Sequence, residues 1–194
     1  MLGTVQREWL MRELAASDAD FHFVVSSVNF MIPHVGGGKI RAGDKDEAWT
    51  VFLDEREKLI NFFDSLKAPV FMLTGDLHNS FAIKITDKVW EFASGPHNSN
   101  NHWASDEGDR PPNGPFKYGP RAVDIRWSTY YRTDIPRGQL LHPTYCVEQI
   151  NNVFNNPQNL ADTRWVAFTK PQEIFQYYDG RTGQLRYAES LLAR

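Results

Sequence analysis

Two short stretches concentrate side chains able to do acid–base or metal chemistry. Gly75-Asp76-Leu77-His78-Asn79-Ser80 puts a carboxylate, an imidazole and an amide close together, and Gly95-Pro96-His97-Asn98-Ser99-Asn100-Asn101-His102 adds two imidazoles and three amides. Carboxylate oxygen and imidazole nitrogen suit Mg, Ca, Mn, Fe and Zn. Each stretch follows a run rich in apolar residues, Val70–Leu73 or Val89–Ala93. Such runs read as buried strands, and open α/β sheets bind ligands beyond the carboxyl ends of their strands. If the two strands run in the same sense, both stretches reach one sheet edge and can converge on a single cation or a dinuclear pair. The competing reading is two solvent-facing turns, because Gly-Asp, Asn and Ser are also common turn residues.

The elements that must position these residues follow from periodicity. Thr4 can cap a helix whose Val5, Trp9, Leu10 and Leu14 fall near one face. Residues 21–28 (FHFVVSSV) predict a buried strand, with His22 as an ordinary strand residue. The loop 29–44 contains Pro33, His34 and a Gly36-Gly37-Gly38 run, and reads either as a phosphate-contacting loop or as a surface connection. Asp44 and Glu47 form a capping box for a helix carrying Trp49, Phe52, Leu53, Ile60 and Phe63. With the strand at 70–74 this gives strand, helix, strand, the pattern of a parallel crossover.

Downstream, 81–86 and 89–93 predict a hairpin through Asp87-Lys88. The Gly, Pro, Asn and Asp content of 95–121 predicts a long irregular loop. Residues 123–131 and 165–168 predict strands, 140–154 is mixed, and 174–178 with 184–188 predict a hairpin across Asp179-Gly180-Arg181-Thr182-Gly183. Trp90, Trp127 and Trp165 sit within strand patterns and are expected in the core.

The chain has 194 residues, enough for one domain over 1–194, and a net charge of −3. That charge gives no basic excess for nucleic acid, and no apolar run approaches the ~18 residues of a membrane span. One cysteine, Cys146, excludes an internal disulfide and a Cys-rich zinc site, and reads as a small half-buried residue. The amino terminus, with Arg7 and Glu8 early, is amphipathic and unlike a secretory signal, so the chain as written has a cytoplasmic character.

With these residues in view, the chain resembles the carboxyl-terminal half of PhoD-like metallophosphatases, the alkaline phosphatase D family. The resemblance rests on LGTVQREWLMREL followed by FHFVVSSV, on DEAWTVFLDEREKLINFF, on TGDLHNSF and on WEFASGP, in that order. It implies an α/β calcineurin-like metallophosphoesterase fold, an αββα sandwich, represented here by a β-rich carboxyl-terminal half with two main helices. It also implies hydrolysis of phosphate mono- or diesters by metal-activated water, with calcium and iron as cofactors and manganese, magnesium or zinc compatible. Asp76 matches the family's Gly-Asp-X-His motif as a metal ligand, and His78 fits either a ligand or a catalytic group at the leaving oxygen. His97 is a further metal candidate, and Asn79, Asn98 and His102 are candidates for substrate contact.

Family members are often exported. The family's Asp-rich amino-terminal motifs, which supply most ligands, have no counterpart before Met1. The expected partners are therefore a phosphate ester and either an amino-terminal half or a second copy of the chain. The alternative is a catalytically silent binding or assembly module.

Overall fold

The structure is a computed structural model that describes residues 1–35, 48–151 and 170–193. Helix α1 spans Gly3–Ala16, strand β1 His22–Val25, helix α2 Leu53–Ser65 and strand β2 Val70–Thr74. Strands β3 (Phe81–Lys84) and β4 (Val89–Ala93) follow, then β5 (Gly114–Tyr118), β6 (Arg121–Ser128), β7 (Thr144–Asn151), β8 (Gln172–Asp179) and β9 (Leu185–Leu192). Short 3-10 turns at Ala104–Glu107 and Arg137–Gln139 interrupt the loops.

The crossover pattern is present. β1 pairs parallel with β2 in the register His22↔Val70 to Val25↔Leu73, and α2 connects them. β3 and β4 form the expected antiparallel hairpin, and β4 then lies parallel to β2, with Val70 opposite Val89 and Thr74 opposite Ala93. The sheet order is β1-β2-β4-β3-β6-β5, and β7-β8-β9 form a separate antiparallel sheet. Because β2 and β4 run in the same sense, the segments after Thr74 and Ala93 emerge at one edge.

Alternation along these strands divides the core into two layers. Val70, Met72, Val89, Phe81 and Ile83 face α2 and pack against its Leu59, Ile60 and Phe63. Phe71, Trp90, Phe92 and Ala82 face the other way and meet Phe175 and Tyr177 of β8. The Tyr177 hydroxyl donates to the Phe81 carbonyl at 2.6 Å, which ties the two sheets together. Among the described residues this makes three layers, helix, sheet and sheet, where the resemblance implies four. Trp90 is in the core, and Trp127 packs at its border, stacked on Tyr187. Trp165 lies outside the described residues.

Several expectations are corrected. Helix α1 forms, but Leu2 and not Thr4 stands at its cap with no side-chain cap bond, it buries no residue completely, and Val5 and Trp9 are exposed. Leu2, Leu10, Met11 and Leu14 are the residues that touch the core. The helix is fixed largely through Glu55 of α2, which accepts from the Met1 amino group, the Leu2 N–H and Arg7. Strand β1 stops at Val25 rather than continuing to Val28, because Ser26 turns the chain by bonding to Val28. Helix α2 begins at Leu53 with Asp54 and Glu55 in its first turn, where acids suit the positive end of the helix dipole. Asp44 and Glu47 lie outside the described residues.

The stretch 95–121 is not wholly irregular. β5 pairs with β6 as the last strand of the sheet, a position where Pro115 forfeits no central ladder bond. The mixed stretch 140–154 supplies β7. Cys146 is half-buried, and burial pushes its thiol up to about 12, as suits an unreactive packing residue.

Candidate functional site

The edge beyond β2 and β4 carries both sequence clusters. Immediately after β2 the backbone enters an unusual turn: Asp76 and His78 have φ of 70° and 57°, and the Leu77 N–H bonds back to the Gly75 carbonyl at 2.9 Å. Two non-glycine residues in the left-handed region, one residue apart, are costly, and such outliers gather at functional sites. Asp76 is exposed, and among the described residues its carboxylate has no hydrogen bond or ion pair. His78 is half-buried, and its Nδ1 lies 2.7 Å from the Asn100 carbonyl oxygen. A carbonyl only accepts, so in the neutral ring Nδ1 carries the proton and Nε2 keeps the lone pair.

The second loop closes over the first. His102 stacks between two other imidazoles, with ring centroids 4.5 Å from both His78 and His34. His34 reaches it because Gly108, at φ 71°, lets the chain pass close: a Cβ there would lie 2.9 Å from Pro33 Cγ. The Val35 N–H also bonds to the Asp106 carbonyl at 2.7 Å. His78 and His102, with Asn98, Ser99, Asn100, Asn101, Arg137 and Leu141, line a pocket of about 460 Å³.

Beneath the pocket is a buried polar lattice. Asn79 donates to the His102 carbonyl at 3.0 Å and to Glu107 Oε1 at 2.7 Å. Its oxygen accepts from Thr129 Oγ1 at 3.0 Å and from Asn101 Nδ2 at 3.3 Å. Asn101 donates also to the His78 carbonyl, and accepts from the His142 N–H at 2.8 Å. Glu107 Oε2 receives Arg110 Nε at 2.7 Å, and Arg110 extends to Ser128 and Thr129 while its guanidinium covers the Phe81 ring. Burial pushes the Glu107 carboxyl up to about 7 against the opposing pull of Arg110 and Asn79.

The candidate residues therefore separate into groups. Asp76, His78, Asn98 and His102 lie at the edge and its pocket. His97 shares the edge but is exposed and has no partner among the described residues. Asn79, expected at the substrate, is buried with both ends of its amide engaged, so it fixes the loops. Asn101 is buried and ties its loop to His78, Asn79 and His142. Sequence reasoning missed His34 as a site residue, along with Glu107, Arg110 and Arg137. The available signal for two of them was a Glu and an Arg three residues apart in Asp106-Glu107-Gly108-Asp109-Arg110.

For a metal ion the donor chemistry fits in kind but falls short in number. Asp76 and Nε2 of His78 are suitable, yet among the described residues no three His, Cys, Asp or Glu side chains come together to hold one. No described helix is long and apolar enough to cross a membrane.

Comparison with known proteins matches the profile of PhoD-like phosphatases to residues 1–132. A solved structure of PhoD aligns over 95% of this chain at 18% identity with a TM-score of 0.47, and the chain spans 34% of that structure's length. No curated protein matches the sequence. The family profile covers more than half of the chain, including both strand-end clusters, and the chain belongs to the PhoD-like phosphatase family.

Proposed function

We propose that this chain carries part of a phosphoester-hydrolase site, centred on Asp76 and His78 at the carboxyl edge of β2 and β4. The observation that carries the reading is the paired left-handed backbone at these two residues, which holds a carboxylate that has no partner among the described residues beside an imidazole whose Nδ1 faces the Asn100 carbonyl. His78, with Nδ1 occupied by the Asn100 carbonyl, has one nitrogen for chemistry. Nε2 can take a proton from an attacking water or, once protonated, return it to the leaving alkoxide. Asn98 and Ser99 supply uncharged donors to the non-bridging oxygens, and the lattice around Asn79 and Asn101 keeps both loops at a fixed spacing.

Asp76 is the donor this chain would offer a cation such as calcium or iron, which would neutralise developing charge and activate water when bound, and Nε2 of His78 would serve either as a second ligand or as the proton-transfer group, since one lone pair cannot do both. The test is hydrolysis of p-nitrophenyl phosphate and of bis(p-nitrophenyl) phosphate by the wild type, Asp76→Asn and His78→Ala, with metals supplied. Turnover that is the same in all three proteins would sink the reading.

A second reading is favoured by one observation, that fewer than three metal-capable side chains cluster among the described residues. Under it the chain binds or assembles with a partner and is silent alone. Light scattering alongside the assay separates the two readings: self-association or partner capture without hydrolysis supports the second, and an active monomer eliminates it.

A further inference from the structure

Arg137 and Leu141 line the same pocket as His78, and both lie beyond the 1–132 matched by the family profile. Among the described residues, Arg137 is the only Lys or Arg that lines the pocket, and no carboxylate lines it. Its guanidinium carbon sits 4.3 Å from the centroid of the Trp103 ring, and Trp103 is itself anchored by an Nε1–H bond of 2.8 Å to the Ile135 carbonyl. The backbone beneath is also fixed. The Leu140 N–H bonds to the Arg137 carbonyl at 3.0 Å, and the Leu140 carbonyl accepts the Asn101 N–H at 2.8 Å. Leu140 is fully buried, so the segment cannot slide against the loop that carries His102.

The anion nearest to Arg137 does not use up its donors. Asp106 Oδ2 is 3.7 Å from Nη2, beyond hydrogen-bond distance, and the arginine side chain is 56% exposed, conditions under which an ion pair contributes little. A guanidinium fixed by its face and stem, with a planar row of N–H donors along its edge, is matched to two oxygens of one phosphate.

We propose that Arg137 is a specificity-determining residue that grips two non-bridging oxygens of the substrate phosphate and so favours dianionic monoesters over monoanionic diesters. This rests on the hydrolase reading above. A monoester offers three non-bridging oxygens and two charges, so two oxygens can be given to Arg137 and one remains for the donors near His78. A diester offers two oxygens and one charge, and must divide them.

Binding alone tests this, without turnover. Phenylphosphonate (a non-hydrolysable dianion at alkaline pH) and its monomethyl ester (a monoanion) are titrated into wild type, Arg137→Ala and Arg137→Lys by calorimetry or phosphorus NMR. The wild type should bind phenylphosphonate more tightly. Arg137→Ala should weaken phenylphosphonate by about tenfold or more and the methyl ester much less. Arg137→Lys, a point charge without the fork, should fall between. Because the side chain is half exposed, both variants should melt with the wild type, which excludes unfolding as the cause.

Equal affinity of Arg137→Ala and wild type for phenylphosphonate, or an equal loss for both ligands, overturns the proposal. So does a wild type that binds neither compound. The hydrolase reading then still stands or falls on the Asp76→Asn and His78→Ala assay.

Discussion

Two carboxylates in this molecule are equally cut off from water, and the chain treats them in opposite ways. Glu107, under the site loops, accepts from Arg110 and Asn79. Glu173, on the inner face of β8 where the two sheets meet, has no hydrogen bond to either oxygen among the described residues. Burial, together with the carboxylate of Glu148 on the neighbouring strand, pushes Glu173 up to about 8. The site end of the fold is specified by a buried polar network. The second sheet is held by aromatic packing, with Phe175 stacked on Phe92 and Tyr177 tilted against Trp127, and it carries Glu173 as a liability.

The largest effect should come from opening the network. Replacing Glu107 by Ala strands the Arg110 guanidinium in the interior, and breaking a buried pair by removing one partner costs about 3–5 kcal/mol. Urea unfolding of Glu107→Ala against wild type measures this. A loss below about 1 kcal/mol would mean that the network is no tighter than a surface pair.

The opposite sign is expected at Glu173. Its folded-state pKa lies above the ordinary range, so the stability linked to its protonation is fully present below its unfolded pKa of about 4.3 and is lost as pH rises through about 8. Glu173→Leu should therefore stabilise the protein by about 1–3 kcal/mol near pH 9, and by less near pH 5. Parallel urea titrations at the two pH values check both the sign and the trend. A destabilised variant at high pH would show that the carboxylate has a favourable role between the sheets.

The contrast also marks what could be read from residue order. The parallel pairing of β2 and β4 was legible because each is a short strongly apolar run, and the hairpin between them fixes their relative sense. Asp76 and His97 therefore reach one edge as expected. Glu107 and Arg110 were not legible, since DEGDR looks like a solvated charged turn. Its burial depends on contacts with Asn79, Ser128 and Thr129, residues from separate elements that no local pattern connects. Asn79 was misplaced for the same reason, because an amide after a strand can face a ligand or the interior, and only the tertiary partners decide. Strand β5 was obscured by Gly114 and Pro115, residues that an edge strand accepts and a central strand does not. In α1, apolar residues lie on more than one side of the helix, so the face that packs was decided by Glu55 and the neighbouring core rather than by Val5 and Trp9.

A smaller effect should follow from relieving the strained turn. Glycine adopts the left-handed region without the steric penalty that Asp76 carries. Asp76→Gly should leave thermal stability unchanged or raise it by roughly 0.5–1 kcal/mol, while removing any metal-supported hydrolysis. A stability loss instead would show that Asp76 holds the edge together, and would remove the argument that its backbone strain is kept for function.

The smallest expected effect concerns metal and stability together. A cation that binds only the native state raises stability by mass action, by about 2.7 kcal/mol at a hundredfold excess over its dissociation constant. Asp76 and His78 alone leave most positions around a hard cation to water, so saturation at that level calls for more donors than the described residues bring together. Adding Ca, Mg, Mn or Zn to the purified chain should accordingly move the melting temperature little. Any shift should vanish in Asp76→Asn, because the amide keeps the shape of the side chain and loses its charge. A large shift that depends on Asp76 would reverse the expectation. It would mean that the edge of β2 and β4 is a metal centre in this chain by itself.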